Sequence, residues 1–260
     1  MEINITDKEV CDIILQKLKD KESLLITRIG DGEIVALKPY LNEKGTNHFY
    51  YVHLGRRLSE KHVSEISNNL KNTILETHIL GIPNFKTSTN SGNPYWELSR
   101  GILTEIISDN ENICKPKLFC DMGIHYLLTQ NNYLDTILKQ VDEVYLITAR
   151  DVKEQLQSKY PNLKTIIDYR IPGEYVYEDN KKIDDYYPNR FDELSTIIKG
   201  QDLRGKLLLL GGGFVGKQLG TLFSQQGGVS LDIGSVFDRF VGKMTRGQGK
   251  GANKYNDPIL

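Results

Sequence analysis

Cysteine is scarce in this chain, and the three present, Cys11, Cys114 and Cys120, are odd in number with no C-x-x-C or metal-ligand spacing. That excludes a disulfide framework and a zinc module, and reads as reduced core thiols of a cytoplasmic protein. Long apolar runs are also missing. No stretch approaches the roughly 18 apolar residues of a membrane span, and the opening MEINITDKEV is polar, without the apolar core of a secretion signal. Nor is there a charge surplus. Lys+Arg 33 against Asp+Glu 34 gives a net charge of -1, so no global field draws the chain to nucleic acid or an anionic membrane. No internal repeat, low-complexity block or shift in composition divides the 260 residues, and the sequence reads as one domain over 1–260, with 243–260 as a flexible Gly/Lys-rich tail. No heptad or exposed apolar stripe indicates an oligomer.

What is present is alternation. Short apolar runs at 23–27, 78–82, 117–120, 144–148, 164–168, 207–210 and 229–233 read as strands. Between them, helical spacing predicts helices over 7–20, 33–37, 56–75, 95–107, 124–130, 151–160 and 214–226. Strands and helices in this order predict an α/β, Rossmann-like, largely parallel sheet with helices on both faces. The segment 42–55, polar and aromatic, is expected as a loop over a site. The hydroxyl- and amide-rich 85–93 reads either as a mobile connection or as a phosphate- or sugar-binding loop.

Two stretches carry chemistry. The first is Arg28-Ile-Gly-Asp-Gly-Glu33, placed where the strand 23–27 gives way to a helix. Asp31 and Glu33 stand one residue apart across Gly32. Carboxylate oxygens are what hard cations such as Mg²⁺ or Mn²⁺ select, and such ions commonly use one or two carboxylates plus substrate phosphates. Arg28 has the residue chemistry for gripping phosphate. The competing reading is a strand-to-helix turn, with Gly30 and Gly32 for backbone freedom and Asp31 as helix N-cap. The second stretch is Gly211-Gly-Gly-Phe-Val-Gly-Lys217 after an all-leucine strand. Gly211, Gly213 and Gly216 satisfy the dinucleotide G-x-G-x-x-G, and Asp232 follows about 20 residues on, where a ribose-binding acid belongs. The same residues satisfy the P-loop G-x-x-x-x-G-K, except that Gln218 replaces the metal-holding Ser/Thr. The sequence after Asp232 is too short for the further strands of a dinucleotide fold, and leaves almost no chain for the metal-binding acid a P-loop needs downstream. A backbone anion site at a helix N-terminus, or plain close packing of helix on strand, are the alternatives.

Taken together, these separated pieces resemble one family. Arg28 to Glu33 is similar to the R-x-G-D-G-E signature of bacterial GT-D-type glycosyltransferases. Gly211 to Lys217 and Gly227-Gly-Val-Ser-Leu-Asp-Ile-Gly-Ser-Val-Phe-Asp238 resemble its closing glycine turn and D-I-G-S-x-x-D block. Thr245-Arg246, Arg170-Ile-Pro172 and Tyr187-Pro-Asn-Arg-Phe191 resemble its T-R, R-I-P and Y-P-x-R-F elements. The resemblance implies a Rossmann-like transferase that uses Mn²⁺ or Mg²⁺ and a nucleotide-sugar, UDP-linked, to modify a glycan or glycoconjugate acceptor in cell-surface glycan assembly. It implies metal and donor binding by Asp31 and Glu33, with Arg28 as phosphate clamp or as the group that holds Asp31. Further candidates for the donor are Gly30, Arg150, Arg190, Gly211, Gly213, Asp232 and Arg246, and His125 is a candidate base for the acceptor hydroxyl. An NAD(P)-dependent oxidoreductase built on the 211–216 turn, and a non-catalytic partner subunit of the same fold, are the alternatives.

Overall fold

The computed structural model describes residues 1–38, 43–84, 94–115, 117–173 and 186–242; among these, the side chains of 31, 43–47 and 94–95 lie outside the description. The chain opens with α1 (Asp7–Asp20), whose start is fixed by Thr6: its hydroxyl accepts the Glu9 N–H at 3.3 Å, and Glu9 accepts the Thr6 N–H at 2.8 Å. Then follow β1 (Leu24–Arg28), α2 (Asp31–Leu37), α3 (Glu43–Leu54), α4 (Glu60–Glu76), β2 (Ile79–Ile82), α5 (Pro94–Ser108), β3 (Leu118–Asp121), α6 (Ile124–Gln130) and α7 (Tyr133–Leu138). The remainder comprises β4 (Glu143–Thr148), α8 (Lys153–Lys159), β5 (Thr165–Arg170), a distorted turn at Tyr186–Arg190, α9 (Phe191–Lys199), β6 (Leu207–Leu210), α10 (Gly213–Gln225), β7 (Val229–Asp232) and α11 (Val236–Phe240).

All seven apolar runs are strands, and every neighbouring pair is parallel, in the order β3-β2-β1-β7-β6-β4-β5. The α/β prediction therefore holds. The five inner strands are buried on both faces, whereas the edge strands β3 and β5 are only partly buried, and the inner side chains divide into two cores. Leu208 and Leu210 join the core containing α2, α3, α4, α5, α9 and α10, while Leu207, Leu209, Val229 and Leu231 join that of α1, α6, α7, α8 and α11. Strand alternation then aims Ser230 and Asp232 at the α10 layer.

One element reverses the sequence reading. Residues 43–54, expected as loop, form α3. The aromatic residues that suggested a loop give the helix its buried face: Tyr50 is fully buried, and Leu54 one turn on is also buried. Tyr50 and Phe49 both meet Phe214 of α10, at ring-centroid distances of 5.8 and 4.9 Å. Helices α7, α9 and α11 were not read from the sequence at all. The loop at 85–93 and the tail at 243–260 lie outside the described residues. The three cysteines are free, with Cys11 and Cys120 buried. Burial pushes the Cys120 thiol up to about 12, which leaves it inert as a nucleophile. Among the described residues, no helix is long and apolar enough to cross a membrane.

Candidate functional site

In an open parallel sheet the carboxyl ends of the strands form one edge, and ligands bind there. At that edge, β1, β7 and β6 are adjacent, and each brings charge. Arg28 is the last residue of β1, Asp232 the last of β7, Glu33 lies in the first turn of α2, and Lys217 lies one turn into α10. The four side chains meet. Lys217 Nζ hydrogen-bonds to Asp232 Oδ2 and stands 3.2 Å from Glu33 Oε1, while Arg28 Nε faces Asp232 Oδ1 at 3.6 Å. The Lys217 and Asp232 side chains are only 3% and 5% exposed, and those of Glu33 and Arg28 are 12% and 20% exposed. This is a buried ion network with a partly open rim.

Glu33 also finishes its own helix. Its Oε2 accepts the Gly30 N–H at 2.9 Å, so one of the amides left without a partner at a helix start is satisfied by the third helical residue. The cap position is Gly30, and Asp31 is the first helical residue. The N-cap reading of Asp31 is therefore displaced by one residue. The side chain of Asp31 lies outside those described. Burial alone would push the Glu33 carboxyl upward, but Lys217, Arg28 and the Gly30 N–H outweigh it and hold it below the ordinary carboxylate range. Glu33 is ionised at neutral pH.

Gly234 explains how Arg28 reaches across. Its φ is +46°, and a Cβ there would lie 2.2 Å from Arg28 Nη2, so only glycine lets the guanidinium lie against the β7–α11 turn. The same turn engages two further strand ends. Ser235 Oγ is 2.6 Å from the Tyr126 hydroxyl of α6, and Asp238 pairs with Arg150 beyond β4, the two side chains being 13% and 11% exposed. The spacing of D-I-G-S-x-x-D is thereby accounted for: Asp232 and Gly234 meet Arg28, Ser235 meets Tyr126, and Asp238 meets Arg150.

The glycines of the 211–216 turn are occupied by packing. A Cβ on Gly211 would lie 2.5 Å from the Phe237 ring, and one on Gly212 or Gly216 would lie 2.8 or 2.9 Å from the Tyr186 hydroxyl, which donates to the Gly212 carbonyl at 3.2 Å. Gly213, at φ +58°, faces open space. Lys217, the lysine of the P-loop-like pattern, turns inward to the carboxylates.

The remaining candidates are placed elsewhere. Arg190 donates to the Arg170 carbonyl at 3.0 Å and pairs with Glu193 at 2.7 Å, joining the R-I-P and Y-P-x-R-F segments at the end of β5. His125 is 3% exposed in α6, on the opposite helical layer from α2 and α10, with its ring 3.9 Å from that of Tyr126. Arg246 lies outside the described residues. Lys217 and Tyr186 were not among the candidates. For Lys217 the signal was present, since the G-K dipeptide placed it one turn into the helix that faces Asp232.

A divalent cation needs ionised carboxylate oxygens. Glu33 fits that chemistry, being charged and at the rim, but its Oε2 is held by Gly30 and its Oε1 by Lys217. Among the described residues, no group of three or more His, Cys, Asp or Glu is placed to hold a metal ion. A metal here would thus draw on Glu33, on Asp31 and on oxygens brought by a ligand.

Comparison with known proteins gives the fold its relatives. Residues 5–187 match the model of the GT-D fold-like domain. A solved structure described as a new glycosyltransferase (DUF1792) from Streptococcus sanguinis is similar with a TM-score of 0.54 and 18% identity, over 92% of this chain and 84% of that one. A second structure, described as the highly conserved domain of unknown function 1792 with a distinct glycosyltransferase fold, is similar with a TM-score of 0.52 and 12% identity, over 98% of this chain and 94% of that one. No curated protein matches. With more than half its length matched by the family model, and with a seven-stranded parallel sheet covered on both faces, this chain belongs to the GT-D-like family and has its fold.

Proposed function

We propose that this protein is a glycosyltransferase that moves a sugar from a nucleotide-sugar, UDP-linked, to a hydroxyl of a glycan or glycoconjugate acceptor, with Mn²⁺ or Mg²⁺. We place it in the cytoplasm, in the assembly of cell-surface glycans. The observation that carries the reading is the Arg28–Asp232–Lys217–Glu33 network at the carboxyl edge of the central strands. In such a reaction the anomeric carbon forms a bond to the acceptor oxygen, and its bond to the diphosphate breaks with the electron pair leaving on phosphate. The acceptor proton is released to solvent or to a base that the residues do not identify. Charge therefore accumulates on the diphosphate, and fixed cations aimed at it stabilise the transition state.

Formal charges support a requirement for added cation. Arg28 and Lys217 contribute two positive charges against three negative ones from Asp31, Glu33 and Asp232, so a diphosphate would meet a site of net charge minus one. A divalent ion held by Asp31 and Glu33 would supply the missing positive charge at the leaving group. Arg28, held across β1 and β7, orients toward the rim, and Lys217 provides a second positive charge behind it.

The test is a screen of nucleotide-sugars for Mn²⁺-dependent release of nucleoside diphosphate, since donor hydrolysis is detectable without the acceptor. Mn²⁺ with UDP should raise the melting temperature, and Glu33→Ala should abolish that rise. Absence of a shift with every nucleoside diphosphate would count against the proposal.

A further inference from the structure

Resting on the reading that a divalent cation is held at Glu33, we propose that Lys217 is an internal competitor for that cation: its ammonium occupies the Glu33 oxygen the metal would use, and Asp232 retains the lysine when it yields. Three observations lead there. First, Glu33 has one negotiable oxygen. Oε2 completes the α2 cap through Gly30, while Oε1 faces the Lys217 ammonium at 3.2 Å. Second, Lys217 has two anionic partners, and Asp232 is the nearer. Leaving Glu33 keeps its charge paired, so the exchange avoids the large penalty of an orphaned buried cation. Third, Lys217 cannot withdraw into water. It is 3% exposed, and its helix is pressed onto the sheet at Gly220, where a Cβ would lie 2.7 Å from Ser230 Oγ.

The arrangement makes metal binding conditional. Mn²⁺ alone must displace an ammonium from Glu33, so its affinity for the free protein is low. The displaced Lys217 stays within the site, adding its charge to the rim where a diphosphate would lie. Arg28 differs in kind: it faces Asp232 rather than Glu33, so it acts on the metal only through the field.

The experiment measures binding of Mn²⁺ alone by the electron paramagnetic resonance signal of the free ion, with no activity readout. Lys217→Met should tighten Mn²⁺ binding by about tenfold or more, because a contact ion pair is removed. Arg28→Met, which removes the same charge at a greater distance, should change it by less than about threefold. Asp232→Asn, which frees Lys217 to hold Glu33 alone, should weaken it. Glu33→Gln should weaken it and erase the effect of Lys217→Met in the double variant. Equal tightening by Lys217→Met and Arg28→Met would reduce the effect to a general field and overturn the proposal. So would unchanged or weaker binding in Lys217→Met while Glu33→Gln still weakens it, with the metal assignment left standing. Unchanged binding in Glu33→Gln would instead remove the metal from Glu33, and both readings would fall. If Lys217→Met does not fold, Lys217→Gln takes its place with the same outcomes, and unchanged binding in Asp232→Asn would refute the competition in either case.

Discussion

Asp232→Ala should be among the most damaging single changes in the molecule, and its cost can be worked from the network. The carboxylate faces two cations, Lys217 on one oxygen and Arg28 on the other, and all but 5% of its side-chain surface is buried. Its removal leaves Lys217, 3% exposed, with Glu33 at 3.2 Å as its described anionic partner, and it takes from Arg28 the group it faces. Breaking one side of a buried ion pair costs about 3–5 kcal/mol, mostly the penalty of the charge left behind. For a chain of this size that corresponds to a fall of about 10 °C in melting temperature. The assay is equilibrium urea unfolding of the wild type, Asp232→Ala, Lys217→Met and the double variant. Since part of the penalty belongs to the ammonium, which is left with Glu33 alone at 3.2 Å, the double variant should be more stable than the sum of the singles by at least about 1 kcal/mol. A loss below about 1 kcal/mol in Asp232→Ala, or a cycle additive within about 0.5 kcal/mol, would refute the reasoning.

Other expectations follow from packing and protonation. Gly220→Ala would place a Cβ 2.7 Å from Ser230 Oγ and 3.0 Å from Leu210 Cδ2, and overpacking of that kind should cost about 1–3 kcal/mol in urea unfolding. Gly101→Ala, in α5 with nothing within 4 Å of the new atom, should stabilise by about 0.5–1 kcal/mol through helix propensity alone. The His78 imidazole is lowered to about 4 by burial, reinforced by Lys115 and Lys117, and its Nδ1 accepts the Leu25 N–H at 3.0 Å. Between pH 6.5 and about 4 the unfolded chain therefore binds more protons than the folded one. Stability present above pH 6.5 should be lost as pH falls through that window, by about 1–2 kcal/mol after allowance for solvent screening. His78→Gln should flatten the melting temperature across the same range.

The strands were legible because a strand buried on both faces must be apolar along its whole length, as Leu207–Leu210 is. Their order was not. Residues Arg28, Lys217 and Asp232 come together only because β7 lies between β1 and β6, and no local pattern states which strand pairs with which. For that reason Lys217 read as the lysine of a phosphate loop, whereas its surroundings make it the partner of Asp232 and Glu33. The glycine turn left more than one reading open for the same reason. A G-x-G-x-x-G pattern reports close approach of something to backbone, and here the approaching groups are Phe237 and Tyr186 from the chain itself. Segment 43–54 was lost to composition: polar and aromatic residues hid a helix whose apolar face is carried by Tyr50 and Leu54.

The position of β7 bears on how the molecule is made. Strands β3, β2 and β1 form one half-sheet and β6, β4 and β5 the other, and β7, the last strand in the sequence, pairs with both inner edges. On a ribosome, the two halves are synthesised before the piece that joins them. Until Val229–Asp232 emerges, β1 and β6 are unfilled parallel edges, open to wrong pairing. Insertion of β7 closes the sheet and, in the same event, delivers the Asp232 carboxylate between Arg28 of one half and Lys217 of the other. The charged network and the complete fold are thus born together, so that a partly synthesised chain holds neither a finished sheet nor the assembled ion network.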